Sequence, residues 1–276
     1  MTNIEKLHKV DLEIVKEVVH VCDEHGLTYY MSGGTLLGAV RHHGFIPWDD
    51  DIDLAMPRDD YEQFLQIAPG ILPSNLEIVN YRTDSRYQYY ITRVRNLDTK
   101  VEEIRINNDY RYTNASIDIF PLDGTPNPIL LRKLYFFRVM AHRALMSLCY
   151  KDSIDRSRKR GKIERVFLAF MEKLPIEKMV DPYKEKCKID KIMRKYAVEK
   201  SNNIGCLMGA YRTNQIVPKR YFGKGKMYKF EDIVLRGPEL YDDYLKQMYG
   251  DYMKLPPKEA QKVHFKIVEI CGESVE

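Results

Sequence analysis

Residues Tyr29 to Pro57 read YYMSGGTLLGAVRHHGFIPWDDDIDLAMP, a stretch whose two halves make sense only together. The first half is a turn, Ser32-Gly33-Gly34, which follows the apolar-aromatic run Tyr29, Tyr30, Met31 and opens a helix-like segment from Thr35 to Arg41. The second half is Trp48-Asp49-Asp50-Asp51-Ile52-Asp53-Leu54, four carboxylates in five positions beside apolar residues. On a strand from Asp49 to Met56, successive side chains alternate between faces. Asp49, Asp51 and Asp53 then share one face, and Asp50, Ile52 and Leu54 take the other. Three carboxylates so close repel one another strongly unless a cation lies between them. Hard oxygen ligands of this kind suit Mg2+ or Mn2+, held by a few carboxylates and by substrate phosphates. The glycine turn supplies the complement, because backbone N–H groups at a helix N-terminus bind anions. A metal-carboxylate strand beside a phosphate-cradling turn describes phosphoryl or nucleotidyl transfer. An acidic run is more often a solvated face or a calcium loop. This one lacks EF-hand spacing, and Ile52 and Leu54 mark a half-buried strand.

Outward from that stretch, the pattern is mixed. Thr2 with Glu5 fits a capping box, and Leu7, Val10, Ile14, Val18 and Val21 form a helical stripe that Gly26 is placed to end. The stripe reads as a core face with nothing catalytic on it, and His8, His20 and His25 read as structural or solvent-facing. Pro57 starts a short helix that ends near Pro69-Gly70. Leu76–Tyr81, Tyr89–Arg95 and Val101–Ile106 alternate as antiparallel strands or a meander, and Ser116–Phe120 is the next strand, carrying Asp118. Asp123-Gly124, bracketed by Pro121 and Pro126, reads as a turn.

From Pro128 to Leu174 the period becomes helical, with Ile129, Leu130, Leu134, Phe137, Met140, Ala141, Leu145 and Leu148 on a wide apolar face. Ser157-Arg158-Lys159-Arg160-Gly161-Lys162 is a basic loop between two such helices, and it is no P-loop, since the upstream glycine is missing. Beyond Asn214, strand and loop (Arg220–Phe230) precede a short helix over Tyr241–Tyr249. Lys219 and Arg220 are possible phosphate ligands, though surface lysines are commoner.

Composition narrows the classes. With 276 residues, 44% hydrophobic and 30% charged, the chain is globular, with room for one large domain or a catalytic domain with an insertion. No segment reaches the ~18 uncharged apolar residues of a membrane span. The start, MTNIEKLHKVDLE, is charged throughout and carries no signal peptide, and five scattered cysteines without a CxxC pair read as reduced thiols of a cytoplasmic protein. Net charge is only +4, yet Leu131 to Lys200 holds 20 Lys/Arg against 9 Asp/Glu. A nucleic-acid binder would use that basic stretch, but it leaves the acidic strand unexplained and has no base-reading motif. The same helices read first as an ordinary helical region with a solvated charged face, and the sharper reading is a membrane-surface patch that meets anionic lipid or a lipid-linked acceptor.

SGGTLLGAVRHHGFIPWDDDIDLAMPR resembles the signature of the LicD family, the phosphocholine transferases related to fukutin-related protein. The likeness continues at Ile117-Asp118-Ile119-Phe120-Pro121-Leu122-Asp123-Gly124, at Tyr221-Phe222-Gly223 and at Tyr249-Gly250-Asp251-Tyr252-Met253. It implies an α+β fold: a nucleotidyltransferase-type mixed sheet core with an added, mainly helical region. We place the core at 1–126, the basic helical region at 127–213, and a segment completing the catalytic domain at 214–276. It also implies a CDP-linked donor, most often CDP-choline, whose phosphocholine passes to a glycan hydroxyl of teichoic acid or lipopolysaccharide type with release of CMP. Other CDP-alcohols, or nucleotidyl transfer to a small molecule, remain as alternatives. By the same resemblance Asp51 and Asp53 hold the metal, with Asp49 as ligand or support. Asp118 completes the site or accepts the hydroxyl proton. The backbone of Ser32, Gly33 and Gly34 holds donor phosphate, with Arg93 as a cationic candidate. The acceptor is expected to be lipid-linked and met at the inner face of a membrane. Choline, which cannot donate hydrogen bonds, is held by aromatic faces. Tyr87, Tyr89 and Tyr90 cluster beside Arg93, although strand tyrosines more often serve packing.

Overall fold

A computed structural model describes residues 1–104, 110–150, 180–209, 211–261, 263 and 265–275. The first helix, α1 (Asn3–Glu24), starts on the expected capping box of Thr2 and Glu5, and Gly26 follows its end at φ 64°. Its stripe, Leu7, Ile14, Val18 and Val21, is buried, and so is Asp11 among them. The glycine stretch then builds β1 (Tyr30–Met31) and α2 (Gly33–His42), and the acidic stretch leads into β2 (Asp53–Pro57) and α3 (Arg58–Ile67).

Four strands follow: β3 (Leu76–Val79), β4 (Thr92–Asn96), β5 (Thr99–Ile104) and β6 (Tyr110–Thr113). Next come β7 (Ser116–Gly124), α4 (Ile129–Cys149) and α5 (Pro182–Met193). The remainder holds β8 (Asn203–Gly205), β9 (Ile216–Pro218), β10 (Lys226–Phe230), β11 (Ile233–Gly237), α6 (Tyr241–Tyr249), β12 (Phe265–Ile270) and β13 (Glu273–Ser274). The main sheet runs β1-β2-β7-β4-β3, with β8 and β9 continuing from β7. Its β2–β7 pair is parallel and the other pairs are antiparallel, so this is the mixed sheet of an α+β protein.

Four expectations change in the structure. The acidic strand starts at Asp53, four residues later than Asp49. Its partner β1 ends at Met31, where the chain turns into α2, so residues 49–52 have no ladder partner on that edge and bend around the helix start. Second, β5 leaves the meander and joins a separate sheet of order β13-β12-β5-β6. Third, Asp123-Gly124 is no turn but the end of β7, where Asp123 and Gly124 pair with β8.

Fourth, α4 buries Tyr135, Val139 and Leu148, while Ile129, Leu130, Leu134 and Phe137 of the expected apolar face are exposed. The buried side packs on α5 through Ile189 and Met193, with Tyr81, Tyr90 and Leu207 closing a second core. The basic loop Ser157–Lys162 and the rest of the segment to Leu174 lie outside the described residues.

Candidate active site

Register brings the site together. In the main sheet Asp53 lies opposite Asp118, and Asp118 lies opposite Arg93, so these three side chains stand in a row across β2, β7 and β4. The backbone of Asp53 is held twice: its N–H donates to Thr35 Oγ1 at 2.7 Å, and its carbonyl accepts from Ser32 N at 3.0 Å. Asp118 N donates to Ile52 O at 2.8 Å, which ties the acidic loop to β7. Residues 49–52 are not a strand, yet Asp49, Asp51 and Asp53 line one cleft together, while Asp49, Asp50 and Asp51 each offer a carboxylate oxygen within 4.8 Å of the others. Asp50 is buried and accepts the Phe265 amide at 2.9 Å.

The charge is poorly balanced. Burial raises Asp53 well above the usual carboxylate range, and Asp51, Asp118 and Asp49 add to it while Arg93 opposes. Asp51 is raised for the same reasons, burial first and then Asp49, Asp118 and Asp50. Arg93 donates Nε to Asp118 Oδ1 at 2.8 Å, and its guanidinium carbon lies 4.6 Å from the Tyr89 ring centre. Convergent hard oxygens in a half-buried, repulsive cluster fit a divalent cation such as Mg2+ or Mn2+.

The glycine turn is shaped by these acids as much as by any ligand. Gly33 has φ 53°, and a Cβ there would lie 2.9 Å from Asp53 Oδ2; at Gly34 it would lie 2.3 Å from Asp49 Oδ2. The two glycines thus let the carboxylates close on the start of α2, whose dipole favours negative charge. Ser32 Oγ sits 3.2 Å from the Tyr244 hydroxyl, in the buried seam between α2 and α6.

A cleft of about 450 Å3 opens from this cluster, lined by Gly34, Asp49, Asp51 and Asp53 and by the aromatic side chains Trp48, Tyr211, Tyr249 and Tyr252. Arg41 and Lys254 supply cations to the same cleft. Tyr211 and Tyr249 meet edge to face, ring centres 5.1 Å apart. The tyrosine group beside Arg93 is differently occupied: Tyr90 donates its hydroxyl to Asp190 at 2.5 Å, and Arg93 covers Tyr89. Lys219 donates to the carbonyls of Val198 and Glu199.

Sequence reasoning missed several participants. His8 Nε2 lies 2.7 Å from the Asp49 carbonyl and its ring stacks on Phe45 at 3.9 Å, so α1 holds the acidic loop; burial lowers its pKa. Arg41, Trp48 and Tyr249 fell within the quoted motif blocks, but their roles depend on how α2 and α6 meet. Nothing in the periodicity of α1 marked Asp11, other than a carboxylate interrupting an apolar stripe.

A family model described as LicD/FKTN/FKRP, nucleotidyltransferase domain, matches residues 26–143. The lipopolysaccharide cholinephosphotransferase LicD of Haemophilus influenzae is 30% identical over 264 residues, spanning 92% of this chain and 93% of that protein. The chain belongs to the LicD family. A shorter match, 46% identical over 48 residues, links it to the human ribitol 5-phosphate transferase FKRP, covering 17% of this chain and 10% of that one. As a LicD-family enzyme, it carries its carboxylates and its glycine turn inside the segment that the family model spans.

Proposed function

We propose that the chain transfers phosphocholine from CDP-choline to a hydroxyl of a cell-surface glycan precursor, of lipopolysaccharide or teichoic acid type, and releases CMP. The observation that carries this reading is the end-to-end similarity to the cholinephosphotransferase of Haemophilus influenzae, combined with acids converging on the start of α2. The acceptor oxygen attacks the phosphorus that bears choline, the bond from that phosphorus to the CMP oxygen breaks, and CMP carries away the electron pair. Such a displacement needs in-line positioning and charge neutralisation more than covalent help. Mg2+ or Mn2+, bound by Asp49, Asp51 and Asp53, would neutralise phosphate charge. Gly33 and Gly34, at the positive end of α2, face the donor phosphates. Asp118 accepts the acceptor proton, and Arg93 holds it in place through the Nε bond.

The aromatic wall of the cleft supports a quaternary ammonium donor. Trp48, Tyr211 and Tyr249 line the cleft, and aromatic rings are what retains a quaternary ammonium that cannot donate hydrogen bonds. The likeness to FKRP favours a second reading, transfer of an alditol phosphate. Incubation with Mg2+ and a panel of CDP-choline and CDP-alditols decides between them. CMP release from CDP-choline, weakened in Trp48→Ala, is expected. Release from CDP-alditols alone would select the second reading, and pyrophosphate release from a nucleoside triphosphate would select nucleotidyl transfer.

The acceptor is proposed to be lipid-linked and met at the inner face of a membrane. Among the described residues no helix is long and apolar enough to cross a membrane. On α4, exposed Leu130, Leu134 and Phe137 stand beside exposed Lys133 and Arg138, which suits shallow contact with anionic lipid. Each basic side chain near such a surface adds ~1 kcal/mol. Co-sedimentation with phosphatidylserine vesicles that is lost at high salt supports this; protein left in the supernatant at low salt refutes it.

A further inference from the structure

The row of Asp53, Asp118 and Arg93 has a neighbour further along the sheet. On β7 the side chains of Asp118 and Phe120 share one face, because strand side chains alternate, and Ile117 and Ile119 are buried on the other. Phe120 therefore stands about 7 Å along the strand from Asp118. It lines an open pocket of about 280 Å3, with Tyr89 from the chain before β4 and Ser147 from the end of α4. This pocket shares no lining residue with the aromatic cleft beside the glycine turn. Gly209 borders the pocket and Tyr211 the cleft, so the loop after β8 reaches both.

A second link joins the pocket to the row. The Tyr89 ring lies 4.6 Å from the guanidinium carbon of Arg93, which binds Asp118. The chemistry of the lining is specific. Among the described residues no Asp or Glu lines the pocket, and its one charged residue, Arg143, donates to the carbonyls of Leu207 and Gly209 at 2.9 and 3.1 Å. Lys186 donates to the hydroxyl of Tyr150, another lining residue, at 3.1 Å. With cations on both sides and no acid, the pocket disfavours a quaternary ammonium. The side chains of Gln88, Tyr89 and Ser147 make no hydrogen bond among the described residues. Ring faces beside open hydroxyl and amide groups suit a ligand with an apolar ring face and a rim of hydroxyls, which is a sugar.

We propose that this pocket binds a sugar ring of the glycan acceptor and turns one of its hydroxyls toward Asp118. Phe120 and Tyr89 carry the apolar face of the ring, and Gln88 and Ser147 hold its other hydroxyls. Donor and acceptor then enter through different pockets, one reaching Asp53 and the other Asp118, which lie opposite each other in the β2–β7 pair. In-line displacement needs such a separation, because the attacking and leaving oxygens stand on opposite sides of the phosphorus. The acceptor role rests on the glycan-transfer reading above and holds for any CDP-linked headgroup.

Saturation-transfer NMR on the full chain tests this, with methyl β-galactopyranoside, methyl α-glucopyranoside and methyl N-acetyl-β-galactosaminide as probes and no donor present. The wild type is expected to show transfer to the ring protons of at least one glycoside. Ser147 is exposed, so Ser147→Trp should fold normally, fill the pocket and abolish that signal. Phe120→Ala should weaken binding roughly tenfold, through loss of the aromatic contact. Trp48→Ala, in the other cleft, should keep the signal. With the bound glycoside as acceptor and CDP-choline as donor, Ser147→Trp should raise the acceptor KM roughly tenfold, with CDP-choline affinity in calorimetry as in the wild type. A wild type that binds none of the glycosides, or equal binding in Ser147→Trp and Phe120→Ala, overturns the proposal. Loss of CDP-choline affinity in Ser147→Trp also overturns it and moves the donor headgroup here. Should no CDP-alcohol release CMP while glycoside binding is present in the wild type and absent in Ser147→Trp, the donor reading fails and the sugar site stands.

Discussion

Two charged networks sit in this molecule, one reaching from the core to the surface and one largely buried, and they are built on opposite plans. In the first, Arg58 donates to both oxygens of Asp123 at 2.7 and 2.6 Å and to Glu62 and Asp190 at 3.1 Å. Arg82 binds Glu62 at 2.7 Å, and Arg194 binds Asp190 at 2.7 Å and Glu62 at 2.6 Å. Three guanidinium groups meet three carboxylates, so the set is neutral and its lone pairs are taken up. It joins α3, β7 and α5 and so fastens the helical region to the sheet. In the second, Asp11, Asp49, Asp50, Asp51, Asp53 and Asp118 face each other with Arg93 bound to one of them. The first set is complete within the chain. The second leaves like charges facing one another, and the divalent cation proposed above would balance them.

The largest expected effect breaks the second set. Asp53→Asn should lower transfer roughly a thousandfold or more, because the charge that gathers metal and phosphate is lost. Its thermal midpoint in EDTA should stay level or rise, since repulsion is relieved. Near wild-type turnover in that variant would remove Asp53 from the reaction.

The opposite response is expected in the neutral set. Arg58→Met leaves Asp123 buried without its bidentate partner, a loss of about 3 kcal/mol in urea unfolding, because stranding one member of a buried pair is costly. A loss below about 1 kcal/mol would show that Asp123 takes up a proton or another partner without strain.

Acidity should separate the two sets by sign. Asp51 and Asp53 have folded pKa values raised by burial and by one another, so the folded chain binds more protons than the unfolded one. Their effect on stability is therefore unfavourable, growing as pH rises above the unfolded value near 4. Glu62 runs the other way. Despite burial, hydrogen bonds from Arg82 and Arg194 hold it at about 2, so its stabilisation is present above about 4.5 and fades as pH falls toward 2. In EDTA the thermal midpoint should fall between pH 5 and pH 8, and Mg2+ should flatten that fall. A midpoint that rises across the same interval without metal would contradict this assignment of charge.

The smallest effect sharpens the boundary between the acids and the glycine turn. Gly34→Val puts a branched side chain where Asp49 now rests, so CDP-choline affinity should weaken by roughly tenfold in calorimetry. Unchanged affinity would make the turn a spacer for Asp49 with no part in holding phosphate.

What could be read from the chain itself was local. The capping box at Thr2, the stop at Gly26 and the helix over Tyr241–Tyr249 depend on neighbours a few residues apart, and they stand as expected. The glycine turn, the acidic run and Asp118 also lie in blocks that mark the family. Tertiary structure decided the rest, because those features depend on partners distant in sequence. Asp49 to Ile52 lack a ladder partner only because β1 stops at Met31. The α4 helix hides Tyr135 and Val139, not Leu134 and Phe137, because α5 packs on that side. Asp11 becomes a buried carboxylate facing three others only once α1 lies against the acidic loop and β7. An interrupted apolar stripe looks the same whether its one charged residue meets water or a cluster of like charges.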